Sequence, residues 1–66
     1  MINLTDYKDV DGIVTIVCND GDILKGELLS VDDEEESGLG EMGVTIYRNG
    51  RYIGIGQSEI EKIITD

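Results

Sequence analysis

The segment GVTIYRNGRYIGIG, residues 43–56, constrains the fold more than any other part of this 66-residue chain. Asn-Gly is a preferred pair for a two-residue hairpin turn, because both residues tolerate the positive φ angles that the turn requires. With Asn49 and Gly50 at the turn, the predicted cross-strand pairs are Arg48 with Arg51, Tyr47 with Tyr52, Ile46 with Ile53, and Val44 with Ile55. One face of this hairpin is therefore aliphatic, and the other carries the tyrosines.

The segment IVTIVC, residues 13–18, has the alternating pattern of a strand. It places Val14, Ile16 and Cys18 on one face and Ile13, Thr15 and Val17 on the other. Both faces are partly apolar, so we expect this strand to be covered on both sides. The residues that follow, Asn19-Asp20-Gly21, predict a tight hairpin turn.

A longer second strand is predicted for residues 23–31, with a glycine in its interior. Glycine within a strand costs stability and marks a bend or a close approach of two backbones, which a small barrel needs. Leu24 and Leu28 are expected to point inward around the bend at Gly26.

Residues 32–42 are predicted to form an acidic loop. Its run DDEEESGLGE repels itself and has few apolar anchors, so we expect a mobile segment that is dispensable for folding.

Both ends of the chain predict short helical pieces. In residues 1–11, apolar side chains recur every third position at Leu4, Tyr7 and Val10, which indicates a short amphipathic helix over the outer face of the first strand. Near the carboxyl end, Ser58 and Glu61 have the spacing of a capping box and predict one helical turn. The last strand follows this turn.

These elements predict one all-β domain over residues 1–66: a bent, five-stranded, SH3-like small barrel with a short N-terminal helix and one helical turn before the last strand. The predicted interior consists of Val14, Ile16, Cys18, Leu24, Leu28, Val44, Ile46, Ile53, Ile55, Ile60 and Ile63. A chain this short has a thin core and commonly needs a disulfide, a metal, very regular packing or self-association. The single cysteine and the absence of histidine leave very regular packing or self-association.

Composition also indicates where the protein works. A lone cysteine gives no disulfide scaffold, so a reduced compartment fits best. No apolar run approaches the roughly 18 residues of a membrane span, and the amino terminus lacks a basic region followed by an apolar one. We therefore expect a cytoplasmic protein that does not contact a membrane.

The order of elements, with IVTIVCNDGDILKGELLSVD and the late GQSEIEKI, resembles the Sm-like family, which includes bacterial Hfq. The first motif of that family pairs an Asp-Gly turn with a later glycine, a leucine and an aspartate. The matching residues here are Asp20, Gly21, Gly26, Leu28 and Asp32. The resemblance implies a bent five-stranded barrel after an N-terminal helix, and rings formed by pairing the fourth strand of one subunit with the fifth of the next.

The family's RNA-reading residues are not matched. Four residues after the motif's aspartate, the family has an asparagine that contacts the base, and this chain has Glu36. The second motif, Ile-Arg-Gly or the Lys-His pair of Hfq, is replaced by Ile55, Gly56 and Gln57. The resemblance therefore implies the fold and ring assembly, and gives no support to RNA binding.

The net charge of −10 also opposes nucleic-acid binding, because affinity for phosphates comes mainly from cations. One place favours it: Tyr47, Arg48, Arg51 and Tyr52 combine aromatic and cationic side chains, the pair of groups that holds single strands. The alternative interpretation is a cross-strand tyrosine pair with two arginines that offset nearby acids.

No catalytic, cofactor or metal site is predicted. An EF-hand spacing that uses Asp9 and Asp11 would require Tyr7 and Cys18 as calcium ligands, and neither suits that ion. Cys18 has no histidine to activate it, and a buried free cysteine usually acts as a small hydrophobic residue. The acids of the loop are solvated, so nothing tunes them for acid/base chemistry.

The remaining apolar residues predict an interface. Once the interior is filled, Ile13, Val17, Ile23, Leu29 and Ile64 are left over. Exposed apolar patches and unpaired strand edges both favour association. The sequence thus predicts a non-catalytic, Sm-like interaction module that forms homo-oligomers and contacts a protein partner. Two alternatives remain: an RNA-binding protein that uses the tyrosine-arginine hairpin, and an acidic nucleic-acid mimic that binds a basic protein.

Overall fold

The structure is a computed structural model that describes residues 1–65. A 3-10 helix, Leu4–Tyr7, precedes strands β1 (Ile13–Cys18) and β2 (Ile23–Asp32). A one-turn helix α1 (Glu34–Ser37) follows, and then β3 (Gly43–Arg48) and β4 (Arg51–Gly56). A second 3-10 helix, Gln57–Glu59, leads directly into β5 (Ile60–Thr65). Within these residues, no helix has the length and apolar character needed to cross a membrane.

The five strands form one antiparallel sheet in the order β4-β3-β2-β1-β5. The molecule measures 25 × 22 × 21 Å, so the sheet curls around its core, because a flat single sheet would be much thinner in one direction. This confirms the predicted small all-β fold with a helix before the first strand and a helical turn before the last.

The β3–β4 hairpin has the predicted register. Its pairs run from Arg48 with Arg51 to Val44 with Ile55. Asn49 and Gly50 have φ angles of 52° and 79°, as a two-residue turn of this type requires.

Strand β2 bends where the sequence predicts it. A Cβ atom added to Gly26 would lie 2.7 Å from the carbonyl oxygen of Tyr47, so only glycine allows β2 and β3 to approach this closely. The register shifts between Leu28 and Ser30, which leaves Leu29 as the extra residue of a bulge. The glycine and the bulge together let one long strand follow the curl of the sheet.

The β1–β2 turn differs from the tight turn that the sequence predicts. It contains residues 19–22, and of these only Gly21 has a positive φ angle, 95°. The Cys18 N–H donates to the Asp22 carbonyl at 2.8 Å, which closes a loop of three residues, 19–21. A two-residue Asp-Gly turn would have needed positive φ at Asp20 as well.

The N-terminal helix is shorter than predicted and packs elsewhere. It is a single 3-10 turn, capped by the Asn3 side chain, whose oxygen accepts from the Thr5 N–H at 3.2 Å. Leu4 is completely buried in the core and the turn contacts β2, whereas the prediction placed an amphipathic helix outside β1. Leu4 thus joins the core formed by the strands, a position that spacing along the sequence does not reveal.

The core otherwise contains most of the predicted residues. Its buried members are Leu4, Val14, Ile16, Cys18, Leu28, Val44, Ile46, Ile55, Ile60 and Ile63. Leu24 and Ile53 are only partly buried, although both were predicted to be interior. Both line a groove that is open to solvent.

The acidic segment is more ordered than a loop without structure. Residues Glu34–Ser37 form α1, which ends at Gly38 with a left-handed φ of 72°. The Ser37 hydroxyl donates to the Glu41 carbonyl at 2.6 Å. Met42 packs against the core, whereas Leu39 is about half exposed.

The predicted capping box at the carboxyl end is wrong. The N-cap of the second 3-10 helix is Gly56, whose N–H donates to the Glu59 carboxylate at 3.1 Å. Ser58 instead donates its N–H and hydroxyl to the Glu41 carboxylate at 2.6 and 2.7 Å. Glu61 lies in β5, because the helical turn begins two residues earlier than the Ser58 spacing indicates.

Candidate functional site

The two tyrosines of the β3–β4 hairpin form an exposed aromatic pair. Their ring centroids are 5.3 Å apart and the planes are tilted by 60°. Tyr52 is 74% exposed and Tyr47 is 40% exposed. This geometry is a favourable cross-strand contact that leaves much of the Tyr52 ring accessible.

The two arginines of the hairpin lie on the other side of the strand pair. Side chains alternate along a strand, so Arg48 and Arg51 point away from the face that carries Tyr47 and Tyr52. The Arg48 Nη1 donates to the Lys25 carbonyl at 3.0 Å, which holds that guanidinium against β2. The four predicted contact residues therefore lie at the same end of the hairpin, but the tyrosines and the arginines are on opposite faces.

The tyrosines share one face of the sheet with apolar residues of the neighbouring strands. Strand pairing aligns Ile13 with Glu27 and then with Tyr47 and Tyr52. Ile64 pairs with Thr15, and Val17 pairs with Ile23, on the same side of the sheet. We call this surface the outer face, and its apolar members are Ile13, Val17, Ile23, Ile64, Tyr47 and Tyr52.

The predicted interface residues are mostly on this outer face. Ile13, Ile23 and Ile64 are 44%, 62% and 45% exposed, and Val17 is partly covered. Leu29 is also 44% exposed, but it lies in the β2 bulge. The sheet thus brings together four of the five predicted residues.

A groove that the sequence did not predict lies between the β1–β2 turn, strand β4 and the second 3-10 helix. Its volume is about 460 Å³. Apolar side chains of Cys18, Leu24, Ile53 and Ile55 line it, together with the acidic residues Asp20, Asp22 and Glu59. We call it the acidic groove.

The acidic groove is built from distant parts of the chain. The Asn19 side chain donates to the Ser58 carbonyl at 2.7 Å, and the Asn19 N–H donates to the Glu59 carbonyl at 2.9 Å. These bonds join the β1–β2 turn to the second 3-10 helix. Within the turn, the Asp20 carboxylate accepts from the Asp22 N–H at 3.0 Å.

Among residues 1–65, no lysine or arginine forms an ion pair with Asp20, Asp22 or Glu59. In the part of the chain that the structure describes, the one ion pair joins Lys8 to Asp33 at 3.2 Å, outside the acidic groove. The pKa of the Cys18 thiol is raised. Burial is the largest cause, and the negative charges of Asp20, Asp22 and Glu59 raise the pKa further. Cys18 is therefore a protonated thiol at neutral pH and a poor nucleophile.

The described residues also give no metal centre. Among residues 1–65, no cluster of histidine, cysteine, aspartate and glutamate has the arrangement needed to hold a metal ion. The helix α1 presents Glu34, Glu35 and Glu36 to solvent, where they are fully accessible to water.

Sequence reasoning missed the acidic groove because its signals are dispersed. Asp20 belongs to the predicted Asn19-Asp20-Gly21 turn, and Asp22 directly follows it. Glu59 lies far along the chain, and its proximity depends on the curl of the sheet. The one local signal is the pair of acids on either side of Gly21, which an ordinary turn also carries.

Comparison of the chain with protein-family models, with curated proteins and with solved structures finds no match.

Proposed function

We propose that this chain is a non-catalytic, Sm-like small-barrel interaction module that associates with copies of itself and contacts a protein partner. The observation that carries the proposal is the outer face, which exposes Ile13, Ile23, Ile64, Tyr47 and Tyr52, with Glu27 and Lys25 between them. Several exposed apolar side chains on one face are typical of an interface, since their exposure to water is unfavourable.

The two edges of the sheet support self-association. Within residues 1–65, β4 pairs only with β3, and β5 pairs only with β1, so each has a free edge. An unpaired edge has backbone donors and acceptors that a neighbouring strand can satisfy. The family resemblance implies that β4 of one copy pairs with β5 of the next to give a ring.

The net charge works against assembly at low ionic strength. Copies that each carry a charge of −10 repel one another, and salt screens this repulsion over about 8 Å at physiological ionic strength. Association through apolar contacts and strand edges should therefore strengthen as salt is added. Binding of a nucleic acid has the opposite salt dependence.

Light scattering over a range of protein and salt concentrations tests this proposal. The apparent mass should rise with protein concentration and with salt. Replacing Ile13 and Ile64 by threonine should reduce association, because threonine keeps the strand preference and removes apolar surface. A matched control is Leu39→Thr, which removes an equally exposed side chain outside the outer face. A chain that stays monomeric at high concentration in moderate salt contradicts self-association.

A second candidate, single-stranded nucleic-acid binding, is favoured by one observation, the 74% exposure of the Tyr52 ring. A base stacks on such a ring without regard to sequence. Filter binding of a labelled oligonucleotide tests it. Affinity that falls steeply with salt and is lost in Tyr52→Ala would favour this candidate over the interaction module.

A further inference from the structure

The free edge of β4 has an ordered pattern of backbone groups. In a hairpin with a two-residue turn, Arg48 and Arg51 exchange both hydrogen bonds, and the pairs then alternate along the strands. Tyr52 and Gly54 consequently direct their N–H and carbonyl groups away from β3. The Gly56 N–H follows the same pattern, since it donates outward to the Glu59 carboxylate at 3.1 Å.

The acidic groove lies directly along this free edge. Ile53, Gly54 and Ile55 of β4 form one side of it. Across the groove are Asp20 and Asp22 of the β1–β2 turn. A strand added to β4 would therefore place every second side chain over the groove and the alternate side chains beside Tyr52 on the outer face.

The chemistry of the acidic groove selects the occupant. Its floor is apolar, from Cys18, Leu24 and Ile53, and its acids are Asp20, Asp22 and Glu59. No lysine or arginine is among the residues that line it. A lysine or arginine side chain matches this arrangement, because its methylene stem packs on apolar surface while its charged group remains near carboxylates and water.

We propose that the acidic groove and the β4 edge together bind an extended basic segment of a partner protein, which adds as a strand to β4 and places lysine or arginine side chains over Asp20, Asp22 and Glu59. This inference rests on the protein contact in the proposed function and specifies its chemistry. Backbone hydrogen bonds to Tyr52 and Gly54 provide affinity, and the acidic groove provides selectivity.

A second copy of the chain fits the acidic groove less well. The partner strand implied by the resemblance, β5, has the sequence IEKIIT, with one lysine beside one glutamate. A copy also brings a net charge of −10 toward three unneutralised carboxylates. Charge complementarity therefore favours a basic segment of another protein.

The test uses a labelled peptide of eight residues in which lysine alternates with valine, titrated into the full chain and followed by fluorescence anisotropy. Peptides that alternate glutamate with valine, or that consist of lysine alone, serve as controls. The lysine-valine peptide should bind, the glutamate-valine peptide should not, and the lysine peptide should bind at least about tenfold more weakly. Equal binding of both lysine-containing peptides would overturn strand addition.

Charge-matched variants separate the acidic groove from the overall charge. Asp20→Asn, Asp22→Asn and Glu59→Gln together remove the carboxylate charges and keep an oxygen that accepts the local hydrogen bonds. The control combines Glu34→Gln, Glu35→Gln and Glu36→Gln on α1. The groove variant should bind the lysine-valine peptide about tenfold more weakly, and the control should bind within about twofold of the unmodified chain. Equal weakening in both would show attraction by charge alone, as in the mimic alternative, and would overturn the proposal.

A backbone variant tests the edge of β4. Gly54→Pro removes an outward N–H and leaves the hydrogen bonds to β3 in place, and proline is tolerated on strand edges. Circular dichroism of this variant should retain the β-sheet signal while peptide binding is lost.

Amide chemical-shift changes, measured by NMR as the peptide is titrated into the unmodified chain, provide a second test. They should be largest at Tyr52, Gly54 and residues 19–22. Shifts confined to α1 would overturn the proposal.

The two proposals fail in different ways. Loss of self-association in the Ile13 and Ile64 variant should leave peptide binding unchanged, because those residues lie on the outer face. A ring and an added basic segment would both use the free edge of β4, so the peptide is titrated at a protein concentration and low salt at which light scattering gives the mass of a monomer. A monomeric chain that does not bind the lysine-valine peptide contradicts only the basic-segment proposal. A monomer that binds the peptide contradicts only self-association.

Discussion

The two hairpin turns of this protein contain similar residues and reach their conformations by different routes. Asn49 and Gly50 both adopt positive φ angles, and the turn is complete within its own residues. In the β1–β2 turn, only Gly21 has a positive φ, and Asn19 donates to the Ser58 carbonyl and accepts nothing from its own turn. The second turn also has hydrogen bonds of its own, since the Cys18 N–H donates to the Asp22 carbonyl and the Gly21 N–H donates to the Cys18 carbonyl. Contacts with a distant helix are thus added to the second turn and are not needed by the first.

This difference has a functional consequence. A turn that is complete in itself leaves its side chains free, and the β3–β4 hairpin presents exposed tyrosines. A turn that depends on a distant element creates a boundary with that element, and the acidic groove lies at this boundary. The sharpest contrast in the molecule is therefore between a hairpin encoded locally and a site assembled by the tertiary fold.

The largest effect is expected where the two hairpins meet, at Gly26. Gly26→Ala should destabilise the protein by about 2–3 kcal/mol, because its Cβ would lie 2.7 Å from the Tyr47 carbonyl oxygen, a backbone atom that cannot move alone. Gly54→Ala is the control, since a Cβ there meets nothing within 4 Å. It should change stability by less than about 0.5 kcal/mol. Urea unfolding measures both, and equal effects would show that β2 and β3 can separate at little cost.

A smaller effect is expected at the turn that depends on tertiary contacts. Asn19→Ala removes the 2.7 Å hydrogen bond to the Ser58 carbonyl and should lower the free energy of unfolding by about 1 kcal/mol, measured by urea unfolding.

Isolated peptides test the same difference. A peptide of residues 43–56 should still show NMR contacts between the rings of Tyr47 and Tyr52. A peptide of residues 13–32 keeps the hydrogen bonds within residues 18–22 and lacks those to Ser58 and Glu59, so its turn should be less ordered than that of the 43–56 peptide. Equal order in the two peptides would remove the distinction between the two hairpins.

Thiol titration provides a probe of the acidic groove. Because burial and then Asp20, Asp22 and Glu59 raise the pKa of Cys18, its thiolate absorbance should appear at higher pH than that of an exposed cysteine. Asp20→Asn with Asp22→Asn should lower this pKa and leave it above the ordinary value, since burial is the first cause. An unchanged titration in this variant would show that the turn carboxylates do not act on the thiol.

The same pKa shift fixes the direction of a stability change. The folded state holds the Cys18 proton more tightly than the unfolded state, so the contribution is complete below the pKa of the unfolded thiol. It is lost as the pH rises toward the folded pKa. Stability should therefore fall more steeply at alkaline pH in the unmodified chain than in Cys18→Ala, measured by urea unfolding across that range.

The smallest effect is expected in the acidic segment. Replacing Glu34, Glu35 and Glu36 by glutamine should change stability by less than about 0.5 kcal/mol, with a slight gain at low salt, because these side chains are exposed. The predicted dispensability does not extend to the whole segment. Glu41→Ala should cost about 1 kcal/mol, since its carboxylate accepts two hydrogen bonds from Ser58. Thermal unfolding measures both variants. Equal effects of the triple glutamine variant and of Glu41→Ala would show that Glu41 contributes no more to stability than the exposed acids.

The sequence by itself determined the parts of this protein whose causes are local. The register of β3 with β4 follows from Asn49 and Gly50, and the bend in β2 follows from Gly26, because backbone conformation at these positions depends on the residue type. Alternation of apolar residues likewise predicted the strands and the outer face, since side chains on a strand have a period of two.

The tertiary structure decided what depends on residues distant in sequence. Leu4 became a core residue because the 3-10 turn that carries it packs against β2, and Leu24 and Ile53 became groove residues because the curl leaves β4 unpaired at that side. The Glu59 carboxylate joins Asp20 and Asp22 only when the second 3-10 helix docks on the β1–β2 turn. Sequence spacing cannot specify such a meeting, because the distance between these residues in space is set by the curvature of the whole sheet.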